Sequence, residues 1–259
     1  MGYSNYALIT GATSGIGLEL AKLFASDGIP LLLVARRTAK LEALQAELSS
    51  QGDVKIFTCD VGNAEARLDL LRYIDEQDLH IDYLVNNAGF GQYGKVADND
   101  WADTDTMLQL NMVGLSHLCR SLLPAMIQRG FGKVLNVSST AAFQPGPGMA
   151  AYFASKAYVL SYTEALAYEL KSTGVSATCL CPGATKTKFF EVAGMVDSRL
   201  ANENTLASAK DVAIQGYQAM NKGKSLTVHG LLNRFLIFSS RFGTRAMTTA
   251  IAAAILKQR

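Results

Sequence analysis

The chain has 259 residues, 49% hydrophobic and 18% charged, with a formal net charge of +2. That is the balance of a globular protein with a sizeable core, and no nucleic-acid partner is expected. Cys59 and Cys119 stand alone, Cys179 and Cys181 form a C-x-C pair, and His80, His117 and His229 are scattered, so there is no zinc framework and no metal is expected.

The first apolar run, Tyr6–Thr10, opens almost at the N-terminus, leaving no room for a charged n-region and signal core. A cytoplasmic protein is expected. The run leads into Thr10-Gly11-Ala12-Thr13-Ser14-Gly15-Ile16-Gly17, after which Ile16, Leu20, Leu23 and Phe24 fall on one helical face. A strand, a glycine turn and an amphipathic helix make a phosphate cradle. Glycines let the backbone turn tightly, approach a pyrophosphate and pack helix on strand, while the helix N-terminus offers N–H groups and positive dipole. Gly11, Thr13, Ser14, Gly15, Ile16 and Gly17 are therefore expected to hold a dinucleotide.

The second strand, Leu31–Ala35, runs into Arg36-Arg37. An acid here would accept hydrogen bonds from the ribose of NAD; an arginine fork grips the 2′-phosphate of NADP. Arg36 is thus expected to select NADP over NAD. A helix follows with Leu41, Leu44 and Leu48 on one side, then strands Val54–Thr58, ending near Asp60 and Val61, and Tyr83–Asn86, ending in Asn86-Asn87-Ala88-Gly89. The two asparagines also suit the capping of a strand end.

A long helix is expected over Asp103–Arg129, then a strand over Lys133–Val137 and a second long helix over Ala150–Thr173. The second helix carries Tyr152-Phe153-Ala154-Ser155-Lys156, whose i, i+4 spacing puts phenol and ammonium on one face. A phenol of pKa about 10 is a poor base at neutral pH, and a nearby cation favours its phenolate. Tyr158, Tyr162 and Tyr168 are read as packing residues, Ser155 as a helix-surface or cofactor neighbour, and His117 as an interior or interface histidine. The last strands are Ser176–Cys181, which turns Cys179 and Cys181 into the core on one face, and Ser225–Val228.

Strands alternating with helices, and strands apolar throughout like Leu31–Val34, describe a doubly wound, mostly seven-stranded parallel sheet of Rossmann type with helices on both faces. With no linker and no repeat, residues 1–259 read as one domain. Ligands of such a sheet lie beyond the carboxyl ends of its strands. Thr10–Gly17, Ala35–Arg37, Asp60–Val61, Asn86–Gly89, Ser138–Thr140 and Pro182–Thr187 all stand there.

The spacing G-x-x-x-G-x-G, the Asn86-Asn87-Ala88-Gly89 run and the Tyr-x-x-x-Lys pair resemble the short-chain dehydrogenase/reductase family, over about residues 6–187. The resemblance implies an oxidoreductase that moves hydride between a nicotinamide cofactor and a carbonyl or secondary alcohol. In it Ser139 orients the substrate oxygen, Tyr152 gives or takes the proton, Lys156 binds the nicotinamide ribose and lowers the phenol pKa, and Asn111 holds a water on a relay to the lysine. It further implies that Asp60 meets the adenine, that Asn87, Ala88 and Gly89 line the adenosine side, and that Pro182, Gly183, Thr185 and Thr187 form the loop that anchors the carboxamide and approaches the diphosphate. Thr185 stands where an aliphatic residue is commoner. A homo-oligomer, dimer or tetramer, is implied through the two long helices.

Beyond Thr187 the sequence offers a lid over about residues 187–209. Phe189, Phe190, Met195 and Val196, with Phe90, Tyr93, Phe143 and Met149, suggest an apolar pocket for a ketone, aldehyde, acyl or steroid-like substrate. The main rival activity is reduction of a 3-oxoacyl thioester; the rival class is a non-catalytic dinucleotide-binding protein, which would not need both Tyr152 and Lys156. The tail, residues 222–259, is distinct. Lys222, Lys224, Arg234, Arg241, Arg245, Lys257 and Arg259 follow Asp211 with no acidic residue among them, leaving −5 on the rest of the chain. Its Leu231–Phe238 run is expected to cover the pocket or a neighbouring subunit while the arginines stay in water. Contact with an anionic membrane surface is the alternative, since the run is too short to span a bilayer.

Overall fold

A computed structural model describes residues 5–196, 198, 200 and 206–257. Their strands are β1 (Asn5–Thr10), β2 (Leu31–Ala35), β3 (Val54–Thr58), β4 (His80–Asn86), β5 (Gly132–Val137), β6 (Val175–Cys181) and β7 (Leu226–Val228), in one sheet of order β3-β2-β1-β4-β5-β6-β7. Every pairing is parallel. Helices α1 (Gly15–Ser26), α2 (Thr38–Leu48) and α3 (Ala64–Glu76) connect the first four strands. The order reverses between β1 and β4, and the crevice opens there.

The sheet is buried on both faces, so alternate residues feed two cores. Leu8, Leu32, Leu84 and Val134 pack on one side, while Ile9, Leu33, Val85 and Leu135 pack on the other. Removing such side chains from water contributes about 1.5–3 kcal/mol each. Between the apolar layers runs a polar thread: Asn86 Nδ2 donates to Asn136 Oδ1 at 2.9 Å, and Asn136 Nδ2 to Thr163 Oγ1 at 3.0 Å. The Oδ1 of Asn86 is buried without a hydrogen-bond partner.

Most strand ends fall within one residue of the sequence reading, and three elements depart further. β4 begins at His80, three residues early, because its polar Asp82 is buried against Arg129, whose Nε and Nη2 lie 3.2 and 3.0 Å from one carboxylate oxygen. The helix expected over Asp103–Arg129 is three pieces: α4 (Trp101–Leu108), a π-helical turn (Gln109–Gly114) and α5 (Leu115–Arg129). The helix expected to reach Thr173 is α6 (Ala150–Glu169), which stops where Ser172 and Gly174 adopt φ of 67° and 80°.

After β6 come the short α7 (Phe189–Val192) and α8 (Ala209–Asn221). In the expected lid, residues 197, 199 and 201–205 lie outside the described residues. The tail folds into α9 (Leu231–Ser240) and α10 (Arg245–Leu256). Arg259 of the tail also lies outside the described residues.

Candidate active site

The glycine turn after β1 is held from behind. Thr10 Oγ1 accepts from the backbone N–H groups of Asn87 and Ala88 at 3.0 and 3.1 Å, and Asn87 Nδ2 donates to the carbonyls of Thr10 and Gly11 at 3.0 and 3.3 Å. The two strand ends thus clamp each other across the crevice. A Cβ on Gly17 would lie 2.4 Å from Asn87 Nδ2 and 2.5 Å from the Gly11 carbonyl, and one on Gly15, whose φ is 56°, 2.8 Å from Thr187 Cγ2. No side chain fits. Ser14 precedes α1 without capping it, and the first turn of α1 holds no acidic residue. Uncapped N–H groups beside an open backbone turn fit an anionic phosphate.

Thr13, Ser14, Ile16 and Thr187 are half-buried around this turn. Two of the residues expected to line the cofactor turn their side chains elsewhere. The Asn87 amide is spent on the loop itself, and the Val61 side chain is buried in the core while its carbonyl accepts from Arg67 Nη1 at 2.8 Å. Asn86 belongs to the polar thread between strands. At the ends of β2 and β3, Arg36 Nη1 lies 3.8 Å from Asp60 Oδ2, and Asp60 Oδ1 accepts from the Gly62 N–H at 2.9 Å. The Arg36 side chain is 66% exposed, so this ion pair holds it weakly, at about 0–1 kcal/mol.

Ser139, Tyr152, Lys156 and Asn111 come together from three elements. Ser139 follows β5 at the head of a 3-10 turn, Thr140–Phe143, where its Oγ accepts from the Ala141 N–H at 3.1 Å and approaches the Pro182 carbonyl at 3.5 Å. Its neighbour Ser138 points away, donating to the Lys156 carbonyl at 2.7 Å, which separates the two serines cleanly. Tyr152 and Lys156 lie in the first two turns of α6, with the ammonium 5.8 Å from the phenol ring centre. Lys156 Nζ donates to the Val137 carbonyl at 3.0 Å.

Asn111 sits in the π-helical turn, with Oδ1 accepting from the Phe90 N–H at 3.2 Å and Nδ2 donating to the Phe90 carbonyl and Ser155 Oγ at 3.0 and 3.1 Å. Ser155, expected as a helix-surface residue or a neighbour of the cofactor, is not on the surface but is a buried link that donates to the Tyr152 carbonyl at 2.7 Å. Gly89 lies between the Asn111 amide and the Lys156 amine: a Cβ there would be 2.9 Å from Asn111 Oδ1 and 3.3 Å from Lys156 Nζ.

Burial sets the electrostatics. It pushes the Tyr152 phenol up to about 12, opposed by the hydrogen bond with Ser139. The same burial brings the Lys156 ammonium down to about 8. The phenol is therefore a proton donor in this form of the site, and the ammonium releases its proton near 8, well below the usual lysine range.

Around Tyr152 the wall is apolar: Met107, Met149, Phe153, Phe190 and Met195 form one cluster with it, joined by the half-buried Phe90, Tyr93 and Phe189. Phe189 packs 5.1 Å from the Tyr152 ring. Phe143 is not among them; it packs against the Cys179–Cys181 cluster. Val196 is exposed, as is Tyr168, which was expected to pack and instead carries Lys171 over its ring. His117 accepts from Arg67 Nε at 3.2 Å, at a cavity of about 470 Å³ that Val113, Ser116, Arg120 and Tyr158 also line.

Sequence reasoning missed two wall residues from the tail. Leu256 of α10 joins the Tyr152 cluster, and Asn233 of α9 lies where a Cβ on Gly183 would be, 2.4 Å from its Nδ2. Neither belongs to a motif. The Pro182–Thr187 loop is braced by Thr185, whose Oγ1 donates to the Gly183 carbonyl at 2.9 Å and whose backbone pairs with Ala207.

Residues 5–195 match the model of the short chain dehydrogenase family. Sulfoacetaldehyde reductase 2 of Chromohalobacter salexigens is 35% identical over 92% of this chain and 95% of its own length. A putative ketoacyl reductase of Streptomyces coelicolor is 36% identical over 71% of this chain and 72% of its own. A short-chain dehydrogenase from Sphingobium yanoikuyae, solved in complex with NADPH, is 28% identical with a TM-score of 0.82, covering 92% of this chain and 94% of that one.

Proposed function

We propose that this chain, which belongs to the short-chain dehydrogenase family, is an NADP-dependent reductase of apolar ketones or aldehydes, with Tyr152 as its general acid and base. What carries the reading is the meeting of Ser139, Tyr152, Lys156 and Asn111 beside an apolar wall. The bound nicotinamide supplies or takes up the hydride. Ser139 Oγ orients the substrate oxygen, and the protonated Tyr152 hydroxyl gives it a proton in the reductive direction. Lys156, titrating at about 8, holds the nicotinamide ribose and stabilises the phenolate left behind. Asn111 is a positioning residue: through Phe90 and Ser155 it fixes the turn that carries Gly89 against the amine, and the relay that restores the proton passes it.

Gly11–Gly17, Asp60, Ala88 and Gly89, Pro182–Gly183, Thr185 and Thr187 form the rest of the dinucleotide site in this reading. Arg36 supports NADP over NAD, since it is exposed, weakly paired and followed by no carboxylate on β2. A 3-oxoacyl thioester is the second substrate reading, favoured by the Streptomyces coelicolor relative. Assembly as a homo-oligomer is supported by the exposed Val113 and Tyr158, which line the shallow cavity at His117, and by the exposed Ile127 further along α5. No described helix is long and apolar enough to cross a membrane; the cytoplasm is the proposed compartment.

The test is a panel of ketones, aldehydes and oxoacyl thioesters assayed with NADPH and NADH, for the natural chain and for Arg36→Ala. The expected result is reduction of an apolar carbonyl with NADPH, and an NADP affinity that falls about 10- to 100-fold in the variant while NAD is unaffected. No turnover on any carbonyl would overturn the activity. An equal effect on both cofactors would overturn the role of Arg36.

A further inference from the structure

The last two helices are built inside out. On α9 and just beyond it, Leu231, Phe235, Phe238 and Phe242 follow at intervals of four, three and four residues, the spacing of a single helical stripe, yet all four are exposed, Leu231 at 81% and Phe242 at 79%. Leu232 and Leu236 widen the stripe. On α10, Met247, Ile251 and Ile255 repeat every four residues and are exposed too, while Ala252 and Leu256 point into the fold. Of the nineteen large exposed hydrophobic residues among those described, eight fall in these two helices and a ninth, Phe242, lies between them, so the exposed apolar surface is concentrated in the tail. Patches of this kind mark an interaction surface.

The charge beside the patch decides between occupants. Arg234 and Arg241 stand seven residues apart on the flank of the α9 stripe, Arg245 opens α10, Lys257 follows it, and no acidic residue occurs after Asp211. A two-fold contact between copies pairs each patch with an identical one, and so would bring two cationic rims together with no acidic residue of the tail to neutralise them. An anionic bilayer meets both demands at once, taking the phenylalanines and aliphatic residues below its headgroups and the arginines among them.

The geometry points to α9 and α10 as a face by which this protein lies on an anionic lipid surface without crossing it. Length agrees, since α9 has ten residues and α10 twelve, and neither spans a hydrocarbon core of about 30 Å.

The experiment is flotation of the full chain with vesicles of phosphatidylcholine alone or mixed equally with phosphatidylglycerol. The chain is expected to float with the mixed vesicles at low salt, to release as salt shortens the Debye length toward about 3 Å, and to ignore neutral vesicles. The triple variant Arg234→Ser, Arg241→Ser, Arg245→Ser is expected to lose about a hundredfold in partitioning, and Phe235→Ser, Phe238→Ser, Phe242→Ser to stay in solution. Circular dichroism melts establish that both remain folded. As a measurement independent of loss of binding, Phe238→Trp is expected to shift its emission to the blue on mixed vesicles. The proposal is overturned if the full chain does not float, if both triple variants float as it does, or if Phe238→Trp shows no shift. It is overturned equally if the phenylalanine variant breaks an oligomer in sedimentation while floating unchanged, which would make the face a contact between copies.

Discussion

The two halves of the crevice are built by different means. On the proposed dinucleotide side, from Thr10 to Gly17 and Asn87 to Gly89, the crevice is lined by backbone, and four hydrogen bonds between Thr10, Gly11, Asn87 and Ala88 fix it. On the substrate side, around Tyr152, the surface is side chains: Met107, Met149, Phe153, Phe190, Met195 and Leu256, with methionines that adapt to irregular shapes. The first arrangement tolerates no added atom; the second exchanges one apolar group for another at small cost. One side is suited to a single invariant ligand, the other to whichever substrate the chain has acquired.

Substitutions on each side sharpen the contrast. The largest effect is expected where the halves meet: Tyr152→Phe should lower turnover about 10²- to 10⁴-fold, the usual worth of a general acid, while dinucleotide affinity measured by titration is kept. Gly17→Ala should do the opposite, costing about 1–3 kcal/mol of stability in a melt and weakening the dinucleotide, because the new methyl meets Asn87 Nδ2 and the Gly11 carbonyl. If Gly17→Ala bound the dinucleotide normally, the picture of a filled cradle would fail. Leu256→Ala should cost about 2 kcal/mol and raise KM for a bulky ketone without moving dinucleotide affinity. An unchanged substrate profile would remove the tail from the pocket wall.

The smallest expected effect is on pH. Burial lowers the Lys156 ammonium from 10.5 to about 8, so between those values the unfolded chain binds a proton that the folded chain has released. Stability from this group therefore rises with pH across that window, and below about 8 the buried cation is a cost. Lys156→Met should be the more stable protein at neutral pH, and its advantage in thermal melts should shrink as pH rises toward 10.5. A constant difference would mean that Lys156 titrates as an exposed lysine.

The dinucleotide side was legible in the sequence because its requirements are backbone requirements, and only glycine meets them at Gly11, Gly15 and Gly17. Tyr152 and Lys156 were legible through their spacing. Strand β4 was read short because its first turn of charge, Asp82, is neutralised by Arg129, forty-seven residues away, which no local pattern shows. The break in the helix after Leu108 was masked locally because Gln109, Leu110 and Met112 are good helix formers, although Asn111, Val113 and Gly114 are not; its wider turn is held by Asn111 reaching Phe90. The substrate wall was read in part: Phe189, Phe190 and Met195 are where the sequence suggested, while Phe143 faces the wrong cluster and Leu256 and Asn233 came from a tail with no signature. An apolar side chain advertises burial but not against what.

The asparagine pair between β4 and β5 has a consequence for accuracy. Strands that are apolar on both faces slide past one another with little change in what they bury, so hydrophobicity alone leaves their alignment loosely specified. Asn86 and Asn136 are directly opposite in the ladder, and only that alignment lets the amide of one meet the carbonyl of the other. A slip of one residue would strand both in the dry interior and carry Ser139 about 3.3 Å along the strand, away from Tyr152. These two side chains are buried between the strands, yet they act as the dowel that keeps one half of the reaction centre in line with the other.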